Sequence, residues 1–297
     1  MFAGSCVALV TPMTAQGSLD ERGLIDLVNW HIEAGTAAIV IAGSTGEGAT
    51  LTANEHQQAL ALVIKTANKR IPVIAGTGTN STQTTIEKTQ QAQALGADAC
   101  LIVTPYYNKP TQHGLLAHFS AVAQAVNLPI LLYNVPSRTG CDMSNDTVAT
   151  LSKIPNIVGV KEATGDLTRL QALQAKCRQG FHFYSGDDPT ALDFIQQGGH
   201  GVISITANVA PNQMQKMCHF ALTRQHDKAL SMDKTLQNLH RLMMVESNPI
   251  PVKWALHYLG KIENAIRLPL TPLSLEHHDK IKNALQSAGI LAQQTHF

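Results

Sequence analysis

The sequence predicts an α/β fold: a (β/α)8 TIM barrel followed by a C-terminal helical extension. Eight short apolar runs recur at intervals of about 20–34 residues, and one amphipathic stretch lies between each run and the next. Most runs are continuously apolar rather than alternating, which is typical of parallel strands covered on both faces. Eight such βα units close a barrel. The alternative is a doubly wound sheet, but the first predicted strand is not followed by a glycine-rich dinucleotide turn.

The predicted strands are rich in β-branched residues. They are Ser5–Val10, Ala37–Ala42, Ile71–Ala75, Ala99–Val103, Pro129–Tyr133, Ile157–Lys161, His182–Ser185 and Gly201–Ile205.

Helices are predicted at Leu19–Ala34, Ala53–Asn68 and Thr82–Leu95, where apolar residues recur at helical spacing. Gly35 and Gly96 stand where a helix C-terminus requires a stop. Strand patterns end near residue 210. We therefore expect a barrel domain over residues 1–210 and an all-helical extension over 211–297.

Composition narrows the class of protein. Lys and Arg number 22 against 21 Asp and Glu, and no basic or acidic run stands out, so neither nucleic acid nor a membrane surface is an expected partner. No apolar run approaches the roughly 20 residues that span a bilayer, and the N-terminus lacks the basic start of a signal peptide. The five cysteines form no C-x-x-C pair, which is typical of reduced thiols. We expect a cytoplasmic enzyme.

Lys161 ends one of the apolar runs, Ile157-Val158-Gly159-Val160. Lysine is rarely buried without a partner. At the mouth of a barrel strand, however, partial burial favours the neutral amine, which can attack a carbonyl carbon and form a Schiff base. The alternative is a lysine that extends to solvent from a strand end.

The other strand ends carry hydroxyls, glycines and few carboxylates. No histidine lies at a strand end, so we expect no metal site, and no serine-hydrolase elbow is present. The turn Gly43-Ser44-Thr45-Gly46-Glu47 can present backbone amides and hydroxyls to an anion. This set suits imine chemistry on carboxylate substrates without a cofactor.

Three segments together carry a family resemblance: Gly43–Glu47, Tyr133–Gly140 and Gly159–Gly165. They resemble the dihydrodipicolinate synthase family, and the likeness extends over essentially the whole chain, including Asn248-Pro249-Ile250-Pro251-Val252-Lys253. The G-x-T-G-E element of the first segment and the Y-N-x-P start of the second, Tyr133–Pro136, are shared with N-acetylneuraminate lyase and related pyruvate aldolases. Arg138, together with Tyr106-Tyr107, favours the synthase.

The resemblance implies a lyase that condenses pyruvate with L-aspartate 4-semialdehyde, the committed step of lysine and diaminopimelate synthesis. Lys161 would form the Schiff base, and Tyr133, Ser44 and Tyr107 would relay protons, Tyr107 reaching in from a neighbouring subunit. The implied assembly is a homotetramer, a dimer of dimers. The residues implied to bind substrate are Thr45, the Ile203 backbone, Gly186, and Arg138 for the carboxylate of the aldehyde.

Three positions depart from the family pattern, one in the implied proton relay and two in an allosteric pocket. Serine at position 44 replaces the usual threonine, which keeps the hydroxyl but loses the methyl that restricts its rotamer. In lysine-inhibited members an allosteric lysine pocket includes positions that here are Ala49, His56, Asn80 and Tyr106, which match. Ala53 and Thr84 replace a histidine and a glutamate, so we expect weak lysine inhibition.

Two alternative functions remain open from the sequence. A non-catalytic, ligand-binding descendant of the fold would be expected to have lost Lys161, the tyrosines or Arg138. A pyruvate-dependent aldolase of the N-acetylneuraminate lyase type would take a sugar aldehyde instead. Arg138 is the residue that discriminates against this second alternative.

Overall fold

The computed structural model describes residues 2–291, and within them eight parallel strands close a barrel in chain order, with β8 paired to β1. The predicted (β/α)8 fold is confirmed. The predicted strand ends differ from the observed ones by at most two residues. The strands are β1 (Gly4–Ala8), β2 (Ala38–Ile41), β3 (Val73–Gly76), β4 (Ala99–Val103), β5 (Ile130–Asn134), β6 (Ile157–Glu162), β7 (His182–Ser185) and β8 (Gly201–Ser204).

Successive residues of each strand face two different apolar cores, which explains the continuous apolar runs. Cys6 and Ala8 of β1 pack inside the barrel, whereas Val7 packs between the barrel and the helices. On β6, Val160 lies in the outer core. Lys161, the next residue, therefore points into the barrel.

Helices cover the outside of the barrel, and several begin at caps that the sequence encodes. Asp20 accepts a hydrogen bond from the Gly23 amide, and Thr52 forms a capping box with Glu55. Gly96 ends its helix in the left-handed conformation, as predicted. The helices before residue 200 are α1 (Glu21–Glu33), α2 (Ala53–Ala67), α3 (Thr82–Leu95), α4 (Gln112–Ala125), α5 (Pro136–Thr139), α6 (Asn145–Leu151), α7 (Thr168–Lys176) and α8 (Ala191–Gln196).

The C-terminal part is helical but not throughout. Helix α9 packs against β1 and against α10, and its Met214 and Met217 are fully buried. Residues 259–274 contain no helix, which corrects the expectation of an all-helical extension; Pro269 and Pro272 lie in this stretch and cannot continue a helix. Within residues 211–291 the α-helices are α9 (Pro211–Leu222), α10 (His226–Leu242), α11 (Ile250–Tyr258) and α12 (His278–Ser287).

No helix within residues 2–291 is both long enough and apolar enough to cross a membrane.

Candidate active site

Lys161 lies inside the barrel near the carboxyl end of β6, and its residue is only 5% exposed. Its strand neighbours in register are Tyr133 on β5 and Tyr184 on β7. The ammonium nitrogen Nζ lies 4.3 Å from the centre of the Tyr133 ring. Among the described residues Lys161 is in no ion pair. The amine therefore lies over an aromatic ring and is not paired with a carboxylate of the described residues.

Two titratable groups inside the barrel stay uncharged at neutral pH. Burial raises the pKa of the Cys6 thiol to about 12, although the charge of Lys161 opposes this shift. Burial also raises the pKa of the Tyr184 phenol. Neither group becomes an anion at neutral pH, so neither forms an ion pair with Lys161.

Gly186, just after β7, leaves room for the lysine side chain. A Cβ at this position would lie 2.8 Å from Lys161 Cε and 2.6 Å from the Ala163 side chain. Both distances are shorter than real carbon contacts, so a larger residue would displace the lysine. Gly186, which was predicted to lie in the substrate site, is therefore packed directly against the Lys161 side chain.

The predicted anion-binding turn at Gly43–Glu47 follows β2 and brings Ser44 and Thr45 to the mouth of the barrel. The Ser44 residue is exposed, whereas Thr45 is only 3% exposed. The Glu47 and Gly48 amides bond to the Ser44 and Gly43 carbonyls inside the turn, so they are not free to bind an anion.

Ser44, Tyr133 and Arg138 line one cavity of about 460 Å³. Its charged lining residues within the described part of the chain are three cations, Lys88, Arg138 and Arg267, and one carboxylate, Glu47. The excess of cations favours anionic ligands. Lys161, Thr45, Ile203 and Gly186 are not among the residues that line this cavity.

Ile203 lies inside the barrel on β8, in register with Cys6 on β1. The segment that follows is held by Asp188, whose Oδ2 accepts the Ile205 and Thr206 amides at 2.9 Å each. Two such bonds fix the backbone at the end of β8 next to the predicted site.

Tyr107 is separated from the rest of the predicted relay. Its residue is 86% exposed, its φ is +73°, and it does not line the cavity. The described chain therefore does not bring Tyr107 to Tyr133 or Ser44. The role of Tyr107 in the site of another copy of the chain stays a prediction.

The structure places two further residues at the site that sequence reasoning did not assign. Asn248 donates from Nδ2 to Thr45 Oγ1 at 3.0 Å, and its carbonyl accepts from Arg138 at 3.3 Å. Lys253 forms an ion pair with Glu47 in which both side chains are at most 3% exposed. The available signal was a lysine inside the otherwise apolar helix at Ile250–Leu256.

The positions of the expected lysine pocket lie beside the same cavity. Ala49 and Tyr106 line it, while the buried His56 bonds through Nε2 to the Gly76 carbonyl at 2.8 Å, and the Asn80 carbonyl accepts from Asn108. Thr84, at the start of α3, donates to the N-cap serine.

Lys88 is a cation in this region that the sequence pattern did not reveal. It lines the cavity, burial lowers its pKa, and it forms no ion pair with any described residue. An uncompensated cation disfavours the ammonium groups of a bound lysine, which adds to the effect expected from Ala53 and Thr84.

Comparison with known proteins places these features in a family. The model of the dihydrodipicolinate synthetase family matches residues 1–288. The chain is 55% identical to the 4-hydroxy-tetrahydrodipicolinate synthase of Methylococcus capsulatus over 98% of this chain and 100% of the relative.

Solved structures agree with the sequence match. A chloride-inhibited dihydrodipicolinate synthase from Acinetobacter baumannii, complexed with pyruvate, superimposes with a TM-score of 0.96 at 52% identity, covering 98% of this chain and all of the other. A monomeric dihydrodipicolinate synthase variant gives a TM-score of 0.95 at 38% identity over 98% of each chain. Because the family model matches residues 1–288 and a relative is 55% identical over 98% of the chain, the chain belongs to the dihydrodipicolinate synthetase family.

Proposed function

We propose that this chain is a lyase that condenses pyruvate with L-aspartate 4-semialdehyde to 4-hydroxy-tetrahydrodipicolinate, the committed step of lysine and diaminopimelate synthesis. The observation that carries the proposal is Lys161, a buried lysine with no carboxylate partner among the described residues, stacked on the Tyr133 ring inside the barrel. A solved relative at 52% identity holds pyruvate, and the sequence relatives at up to 55% identity carry the synthase name.

The chemistry begins with attack of the neutral Lys161 amine on the pyruvate carbonyl carbon. The C–N bond forms, the carbonyl oxygen leaves as water, and loss of a methyl proton gives the enamine. The enamine carbon bonds to the aldehyde carbon, whose oxygen takes a proton and becomes the hydroxyl. The amino group of the bound aldehyde substrate then attacks the imine carbon and displaces Lys161, which closes the ring and frees the enzyme.

Each of these steps, from water loss to ring closure, needs proton transfer, and we assign it to Tyr133, Ser44 and Tyr107. Tyr133 lies against the amine, and Ser44 lines the same cavity. A phenol bridged to a hydroxyl can move protons without a metal or cofactor. The Ser44 hydroxyl retains this capacity in place of the usual threonine.

Both substrates carry a carboxylate, and separate groups hold the two. Thr45 and the Ile203 backbone bind the carboxylate of pyruvate at the barrel end. Arg138, on the short helix α5, binds the carboxylate of the aldehyde, as a guanidinium in a cationic cavity can. A sugar aldehyde has no carboxylate for Arg138 to bind.

Assembly completes the site. We propose a homotetramer, a dimer of dimers, in which the exposed Tyr107 enters the site of a neighbouring copy. The barrel over residues 1–210 and the extension over 211–297 would then act as one cytoplasmic catalytic unit. Analytical ultracentrifugation measures the assembly: a monomer of full activity would remove this role from Tyr107.

The function is tested by incubating the protein with pyruvate and aspartate semialdehyde and coupling product to the next reductase, with NADPH loss as the signal. A sugar aldehyde replaces aspartate semialdehyde in a parallel assay as the specificity control. Borohydride added with pyruvate should trap an adduct on Lys161, located by peptide mass spectrometry. Lys161→Arg keeps the charge but cannot form the imine, so near-normal turnover by this variant would contradict the proposal.

A further inference from the structure

Asn248 comes from the loop between α10 and α11, yet its side chain lies against the turn after β2. Its residue is 4% exposed, and Nδ2 lies 3.0 Å from Thr45 Oγ1. The amide oxygen Oδ1 of the same side chain is buried and has no partner within residues 2–291. Within residues 2–291, the bond from Nδ2 to Thr45 is therefore the hydrogen bond through which this side chain can affect the site.

The direction of this bond determines what the Thr45 hydroxyl can do. A threonine hydroxyl has one proton to donate and two lone pairs that accept. Because Asn248 donates to the oxygen, the bond occupies a lone pair and leaves the proton available for an acceptor in the site. A carboxylate is such an acceptor, and a hydroxyl donating to it forms a charge-assisted bond.

Asn248 is itself held in place through its own backbone carbonyl and through the helix that follows it. Its backbone carbonyl accepts from the Arg138 guanidinium at 3.3 Å. Helix α11, which starts two residues later, places Lys253 against Glu47 and against the Thr11 carbonyl at 3.0 Å. The loop carrying Asn248 is thus tied to the turn that carries Thr45 by a buried ion pair.

We propose that Asn248 is a positioning residue that fixes the Thr45 hydroxyl as the donor to the carboxylate of pyruvate. This inference rests on the proposed function, in which Thr45 binds pyruvate. The side chain of Asn248 acts on the pyruvate half of the site, whereas only its backbone carbonyl touches Arg138. Substituting the side chain should therefore separate the two substrates.

The first test is Asn248→Ala, with both KM values measured in the coupled assay. The KM for pyruvate should rise roughly three- to ten-fold, the effect of one misaligned hydrogen bond. The KM for the aldehyde should stay within about two-fold, because the backbone carbonyl remains. An equal rise in both values would overturn the inference in favour of general disruption of the loop.

The second test is Asn248→Asp, which keeps the shape of the side chain but replaces the donor by an acceptor. The Thr45 hydroxyl would then donate to the new carboxylate and turn away from pyruvate, so the loss should exceed that of Asn248→Ala. If Asn248→Ala does not fold, this isosteric variant decides alone, and an unchanged pyruvate KM refutes the inference.

A double-mutant cycle identifies Thr45 as the intermediary. In a Thr45→Val background the hydroxyl is absent, so Asn248→Ala should have no further effect on the pyruvate KM. A full additional loss there would mean that Asn248 acts by another route.

Borohydride trapping separates this inference from the proposed function. If the wild-type protein forms no pyruvate adduct, the proposed function fails together with the inference that depends on it. If it forms the adduct and the product while the Asn248 variants behave as wild type, only the role of Asn248 is refuted.

Discussion

Replacing Lys253 by methionine should destabilise the protein strongly, because the lysine neutralises a buried carboxylate. Both side chains of the Lys253–Glu47 pair are at most 3% exposed. Lys253 Nζ also donates to the Thr11 carbonyl at 3.0 Å. After Lys253→Met, Glu47 would keep the Arg267 amide at 3.0 Å as a hydrogen-bond donor, but no full positive charge in direct contact.

The expected magnitude follows from the burial of the pair. Removing one partner of a buried ion pair costs about 3–5 kcal/mol, because the remaining charge stays desolvated. With an unfolding entropy of about 2.1 cal/mol/K per residue, 1 kcal/mol shifts the Tm of a 297-residue chain by roughly 1.6 °C. We therefore expect Lys253→Met to lower Tm by about 5–8 °C.

Thermal unfolding followed by circular dichroism, at one fixed protein concentration, measures this effect. The matched control is the double variant Lys253→Met/Glu47→Gln, which removes both charges and should recover most of the lost Tm. A shift below about 2 °C in the single variant, or a double variant as unstable as the single one, would refute the reasoning.

Four further outcomes are expected. Arg138→Ala should lower kcat/KM for the aldehyde about ten- to a hundred-fold, through loss of roughly 1.5–3 kcal/mol of carboxylate binding, with a much smaller effect on the pyruvate KM; equal effects in steady-state kinetics would indicate a structural role. Ser44→Ala should lower kcat while Ser44→Thr leaves it unchanged or slightly higher, and an alanine variant as active as wild type would exclude a relay through this residue. Lysine should inhibit only weakly in a titration of the coupled assay, and Thr84→Glu should tighten inhibition; strong inhibition of the wild type below millimolar lysine would show the pocket to be intact. Hydrogen bonding from Arg267 lowers the pKa of Glu55 to about 2, from about 4.3 in unfolded chains. The ionised Glu55 therefore stabilises the fold above about pH 4.3, and this stabilisation is lost as the pH falls towards 2. The difference in urea midpoint between wild type and Glu55→Gln should shrink over that range, and a constant difference would contradict this.

The amino-acid sequence by itself determined the fold class and singled out Lys161 as an unusual lysine at the end of a buried strand. Burial on two faces gives each strand a continuous apolar run, and this local signal survives in the sequence because every strand repeats it. Lys161 stands out in the sequence because a charged residue is unusual at the end of a continuous apolar run. The helix caps at Thr52 and Gly96 are equally local, depending on two to four neighbouring residues.

Contacts between distant parts of the chain were decided only by the tertiary structure. Asn248 meets Thr45 across 203 positions and Lys253 meets Glu47 across 206, and no periodicity encodes which loop folds over which strand end. The orientation of Lys88 towards the cavity depends likewise on how α3 is rotated against the barrel.

Residues 259–274 show the limit of reading periodicity alone. This segment follows helices α9 to α11, yet its Arg267 amide bonds to Glu47 and its guanidinium to Glu55, and both partners lie more than 200 positions earlier in the chain. The local sequence pattern thus determines which residues are buried. The packing of the whole chain determines which buried polar groups form hydrogen bonds with each other, because a buried polar group needs a partner and that partner can lie anywhere in the sequence.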